Sequence, residues 1–201
     1  MNAYEHLSQD PVMAALIARH GKIRRAPSHE EPYAALCEAV VYQQLHAKAA
    51  ATIFGRVVAQ IGDGGSFPRP ERLAAASDEA LRAAGLSRNK AAALRDVAAH
   101  ALDGRLPTLD ACKSLDDAAL VERLTDIRGI GRWTVEMLLI FDLGRPDVLP
   151  VDDLGVRRGY QLAYRKRTMP TPKALAEFGR RWAPHRTLAA LYLWRAADDN
   201  A

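Results

Sequence analysis

Apolar positions along this chain recur three and four residues apart, and no segment shows the strict apolar–polar alternation of a half-buried strand. The spacing predicts a short amphipathic helix over 11–20, ended by Gly21. A long periodic region follows from Tyr33 to about Ile61, read as more than one helix and closed by the loop 62-GDGGSFPRP-70. The next helix is expected over 71–84, stopped by Gly85. Ser87 is placed to cap another, which runs through Lys90 and Leu94 to Leu102 and exits at Gly104 and Pro107. Helices over 115–124, 133–143, 153–164, 172–182 and 184–197 complete the set. No repeat of fixed period occurs, and the fold class is all-α.

Composition supports that reading. Of 201 residues, 49% are apolar, enough for a buried core, and only 6% are aromatic. No apolar run approaches the roughly 20 residues needed to span a bilayer, and the N-terminus lacks the order of a signal peptide, so a soluble, intracellular chain is expected. Cys37 and Cys112 are expected to be buried thiols, and no Cys or His spacing suits a zinc or iron–sulfur site. Charge adds one asymmetry. Residues 1–120 balance 14 basic against 14 acidic side chains, whereas residues 121–201 carry 14 against 10, so the net charge of +4 arises there.

That basic part contains 124-LTDIRGIGRWTVEMLLIFDL-143. Two helices joined by a loop with Gly129 and Gly131 leave unpaired N–H groups at the start of the second helix. A phosphate can approach such groups closely, and the helix dipole favours it. The same glycines also suit a tight αα-corner with no ligand. Further on, 145-RPDVLPVDDLGVRRGY-160 sets Asp152 and Asp153 at a helix start, with Arg157 and Arg158 in its second turn. One aspartate suffices as a cap, which leaves the other at liberty to face a ligand.

Together these segments resemble the helix-hairpin-helix glycosylase superfamily, and within it the alkylpurine (3-methyladenine) DNA glycosylases of the AlkA type, in a short form without the N-terminal β-rich domain. The resemblance extends through 37-CEAVVYQQLHAKAA-50, 81-LRAAGLSRNKAAALRDVA-98 and 182-WAPHRTLAALYLW-194. It implies one glycosylase domain over 1–201, made of two helical lobes with a cleft between them. Lobe one would comprise about 1–31 plus 145–201, and lobe two about 32–144, including the helix-hairpin-helix 115–143.

The resemblance also implies roles. Asp153 matches the catalytic carboxylate and Asp152 the capping or arginine-pairing residue. Trp133 and Trp194 match aromatic positions of the base pocket, while Met137 and Leu154 stand where better-known members carry tyrosines. Either Gln44 or Leu45 would fill the gap left in the base stack. Gly129 and Gly131 would meet a DNA phosphate, with Arg132, Ser87 and Lys90 as added DNA contacts. Carbonyls of Thr125, Ile127 and Ile130 would ligate a structural Na+ or K+, and the chemistry needs no cofactor. Bifunctional members carry a Schiff-base lysine two residues after the second hairpin glycine. Trp133 holds that position here, so a monofunctional hydrolase is expected. The implied partner is double-stranded DNA with alkylated bases, met by a monomer with no membrane contact, in the nucleoid-bearing cytoplasm of a bacterium or the nucleus of a eukaryote. The competing readings are a glycosylase for another damaged base, such as hypoxanthine or ethenoadenine, and a non-catalytic module that only binds lesions.

Overall fold

The computed structural model describes residues 2–24, 26–28 and 30–199. Among them there is no β-strand, only an isolated antiparallel bridge between Asp63 and Ser66 in the long loop. In chain order the helices are α1 (Ala3–Leu7), α2 (Pro11–His20), α3 (Pro32–Tyr42), α4 (Ala47–Ile61), α5 (Pro70–Ala75), α6 (Asp78–Ala83) and α7 (Arg88–Leu102). They continue as α8 (Leu109–Ser114), α9 (Asp117–Thr125), α10 (Arg132–Phe141), α11 (Leu154–Ala163), α12 (Pro172–Gly179) and α13 (Arg186–Asp198). No helix among the described residues is long and apolar enough to cross a membrane.

Local chemistry sets the boundaries. Asp10 caps α2 by accepting from the Val12 N–H at 2.9 Å, and Pro11 occupies the first turn where no donor is needed. Ser87 caps α7 as expected, its Oγ accepting from the Lys90 N–H at 3.3 Å. The single helix expected over 71–84 is instead two. Ser77 turns extended at ψ 158° and its Oγ accepts from the Ala80 N–H, so α6 starts afresh after α5. The short helices α1 and α8 fall outside the expected set, each opened by a polar cap, Asn2 and Thr108.

The chain divides into two compact units, Met1–Pro27 with Leu139–Ala201, and Ser28–Leu138. In the first, α11 packs on α13 and α13 on α2 around a core of Met13, Leu149, Val156, Leu175, Trp182 and Tyr192. In the second, α7 is the common neighbour of α3, α5 and α6. Its Leu94, Val97 and Ala98 are fully buried, as are Leu36, Val40 and Leu73 on its partners. Burying side chains of this size contributes about 1.5–3 kcal/mol each. Cys37 is buried too, and burial pushes its thiol well above the usual range, which leaves it unreactive.

Candidate active site and nucleic-acid interface

In the first unit the chemistry gathers at the start of α11. Asp153, not Asp152, is the N-cap: its Oδ1 accepts from the Val156 N–H at 2.7 Å, while Asp152 is exposed. The cap expected at Asp152 therefore falls to Asp153, because the helix begins one residue later than the pattern suggested. The same Oδ1 accepts the indole N–H of Trp194 at 2.8 Å, so a single carboxylate oxygen is fixed from two directions. The α11 N-terminus presents its positive dipole end to this group.

Two features missed by sequence reasoning make that arrangement feasible. Gly155 lies under the indole: a Cβ there would stand 2.8 Å from Trp194 Cδ1 and 3.1 Å from Asp153 Oδ1. One turn on, Gly159 lets the α13 backbone approach so closely that a Cβ would lie 1.8 Å from the Leu193 carbonyl oxygen. Phe141 then packs against Trp194 at 5.7 Å between ring centroids, and both border a cavity of about 360 Å³ with Arg24 and Arg195. Leu154, the first residue of α11, is 66% exposed. The lead-in to this helix is held by Arg186, whose guanidinium makes two 2.8 Å bonds to the Asp147 carboxylate. Partial burial pushes the Asp147 carboxyl up, but the Arg186 hydrogen bonds outweigh it and hold the group below the usual carboxylate range.

In the second unit, α9, the hairpin and α10 follow as expected, but the two glycines serve different ends. Gly129 has φ +80°, and a Cβ would lie 2.8 Å from the Ala93 Cβ of α7, so the fold itself demands glycine. Gly131 has open space where its side chain would be. Gly131 is thus the hairpin glycine whose Cα faces open space, while Gly129 borders a second cavity with Ser87 and Lys90. Thr125 ends α9, the Ile127 carbonyl accepts the Ile130 N–H at 3.0 Å, and both isoleucine side chains are buried anchors of the loop. Arg132, expected as a DNA contact, pairs within α10 with buried Glu136 at 2.9 Å.

Beside the hairpin lies an apolar cavity of about 520 Å³, bordered by Ala39, Tyr42, Gln44, Gly131, Trp133 and Met137. The structure thus brings together Trp133, Met137 and Gln44 from the expected list. Trp133 is 45% exposed, unusual for a ring that could be core. Tyr42 is the missed member. It contributes an aromatic ring from α3, buttressed edge-on by Phe54 at 6.5 Å. The sequence carried no hint of it, because neither glycine nor proline marks the turn that follows.

That turn, 43–46, separates α3 from α4 without glycine or proline. Gln44 adopts φ +57° and is exposed, and Leu45 beside it is 39% exposed. A glutamine held in the left-handed region costs of order 1–3 kcal/mol, and such strain concentrates at functional positions. Ser87 is exposed at the α7 N-terminus, as a DNA contact requires. Lys90, expected to contact phosphate, is engaged within the chain. Its ammonium donates to the Val41 carbonyl at 2.6 Å and the Gln43 carbonyl at 2.7 Å, and partial burial lowers its pKa.

Comparisons with known proteins converge. The profile described as "HhH-GPD superfamily base excision DNA repair protein" matches residues 37–185. DNA-3-methyladenine glycosylase 1 of Schizosaccharomyces pombe is 44% identical over 173 residues, which is 86% of this chain and 75% of the relative. The solved structure of the 3-methyladenine DNA glycosylase from that yeast, in complex with abasic DNA, superposes with a TM-score of 0.87 at 43% identity, over 97% of this chain and 96% of that one. A DNA-3-methyladenine glycosidase structure from Bacillus halodurans gives 0.85 at 40% identity, over 96% and 87%.

Proposed function

Since the chain belongs to the HhH-GPD superfamily of base excision DNA repair proteins, we propose that it is a monofunctional DNA glycosylase for alkylated purines. It flips bases of the 3-methyladenine and 7-methylguanine type out of duplex DNA and hydrolyses the bond from base to sugar. The observation that carries this reading is the Asp153 carboxylate, with one oxygen fixed by Val156 N–H and the Trp194 indole. As the glycosidic bond breaks, positive charge builds on the deoxyribose, and a preorganised carboxylate stabilises it without having to reorient. The base leaves with the bonding electrons, water adds to the sugar carbon and gives up a proton to solvent, and the strand retains an abasic site.

Alkylation at N3 or N7 makes the purine cationic and already a good leaving group. Trp133 and Tyr42 border a largely apolar cavity, and electron-rich rings of this kind suit a cationic purine. No lysine follows the hairpin at the Schiff-base position, which Trp133 occupies, so the strand is left uncut. Gln44, strained and exposed, enters the stack in place of the flipped nucleotide. The open approach at Gly131 receives a phosphate. The carbonyls of Thr125, Ile127 and Ile130, at the negative end of α9 and in the turn after it, hold a monovalent cation that faces the same phosphate. The protein works as a monomer on double-stranded DNA, in the nucleoid or the nucleus.

The test is single-turnover release of labelled bases from methylated duplex DNA, wild type beside Asp153→Asn. Asparagine keeps the cap, so the variant folds and binds DNA, but its excision rate is expected to fall by at least about a thousandfold, several kcal/mol of barrier. An active Asp153→Asn protein overturns the assignment. Base release from a panel of deaminated and etheno-purines, but not from methylated DNA, would move the substrate class.

A further inference from the structure

One face of α7 meets both DNA-directed loops of the second unit. Lys90, Ala93 and Asp96 are spaced three residues apart, so they lie along a single stripe of the helix. Lys90 takes the Val41 and Gln43 carbonyls, at 2.6 and 2.7 Å, where α3 ends and the strained turn begins. Ala93 packs under Gly129, and Asp96 accepts the Arg128 N–H of the hairpin at 2.7 Å. The two loops are also tied directly, by the Gln43 side-chain amide donating to the Gly129 carbonyl at 2.9 Å.

Resting on the glycosylase reading, we propose that Lys90 and Gln43 are positioning residues that lock the Gln44 turn to the phosphate-binding hairpin. The distance between stack insertion and backbone grip is then fixed before DNA arrives. The physical reason lies in Gln44. A left-handed glutamine relaxes to an ordinary conformation unless its surroundings hold it. Its neighbour Gln43 is held at both ends, by its carbonyl on Lys90 and its side chain on the hairpin. The ammonium satisfies carbonyls that the last turn of α3 leaves without helical donors. Its positive charge is spent inside the protein, not on a phosphate.

This separates three roles for Lys90 experimentally. A lysine that neutralises a phosphate contributes about 0.9 to the slope of log binding constant against log salt, and its loss lowers that slope by about one. A positioning lysine leaves the slope unchanged but weakens insertion. A lysine that only stabilises the fold changes neither.

The experiment titrates the full chain into a duplex carrying a tetrahydrofuran abasic site opposite 2-aminopurine, whose fluorescence rises when the stack is entered, at several salt concentrations. For Lys90→Met the expected result is a salt slope equal to wild type and a fluorescence rise at saturation of less than half. A slope reduced by about one overturns the proposal in favour of a phosphate contact. Wild-type fluorescence and slope together overturn it in favour of a purely structural lysine. A wild-type chain that leaves the 2-aminopurine stacked overturns it as well. Should Lys90→Met not fold, Gln43→Leu, which removes only the tie to the hairpin, is expected to give the same loss of fluorescence. No bond is broken in this assay, so failure of the glycosylase reading shows separately, as an absence of base release by wild type.

Discussion

The hairpin and the start of α11 each contain a pair of glycines, and the pairs are used in opposite ways. In the hairpin, Gly129 is fixed by its backbone angle and by Ala93, while Gly131 leaves open space for a ligand. In α11, Gly155 and Gly159 are ordinary helical residues whose missing side chains are filled from inside, by the Trp194 indole and the Leu193 backbone. In the hairpin, Gly131 faces outward. The α11 pair brings two helices close enough for an indole on α13 to reach a carboxylate at the head of α11. The comparison separates glycine as a site of access from glycine as a site of approach.

The largest effect that would sharpen it belongs to Gly159→Ala. A methyl group 1.8 Å from a carbonyl oxygen cannot be absorbed by a rotamer change, so α11 and α13 must part. A loss of about 3 kcal/mol or more is expected in denaturant unfolding. Gly155→Ala should cost less stability and more chemistry. Displacing the indole removes a hydrogen bond to a carboxylate, worth about 1.5–3 kcal/mol, so single-turnover excision should slow by about 10- to 100-fold. Equal rates for Gly155→Ala and wild type would show that the Trp194–Asp153 bond is idle.

The hairpin pair should divide the other way. Gly129→Ala is expected to destabilise the fold by about 1–3 kcal/mol, through its positive φ and the Ala93 contact. Gly131→Ala should leave stability within about 1 kcal/mol of wild type yet weaken duplex binding, because on the proposed reading the new methyl enters the space a phosphate would take. Duplex binding that survives at Gly131→Ala would leave this glycine with a geometric role alone.

The smallest effect is electrostatic. The Asp147 carboxyl is held below its usual range by Arg186, so the pair stabilises the fold fully above the unfolded carboxylate value, about 4, and that contribution is lost as pH falls through the lower folded value. With both side chains partly exposed, it is worth no more than about 1 kcal/mol. The stability gap between wild type and Arg186→Gln should therefore close as pH is lowered below about 4.

These contrasts also explain what was legible in the sequence. Helical periodicity marked nearly every long helix, and the hairpin glycines announced a turn, because both signals are local. The break at Ala76–Ser77 carries neither glycine nor proline, so only the cap geometry reveals it. The turn at Gln44 is equally silent, since glutamine rarely takes a positive φ. Asp152 and Asp153 satisfy the same chemistry at a helix start, and a one-residue difference in where α11 begins decides between them. Gly155 and Gly159 gave no sign because periodicity identifies which face is buried and not how near the neighbouring backbone comes. Lys90 looked like any lysine near a helix N-terminus, and its partners, some fifty residues earlier, have no trace in its own neighbourhood.

The Asp153 oxygen carries the start of the helix and, on the proposed reading, the chemistry at one atom. Asparagine supplies the same acceptor without the charge, so a single substitution can separate the two, silencing excision while the helix start stays intact.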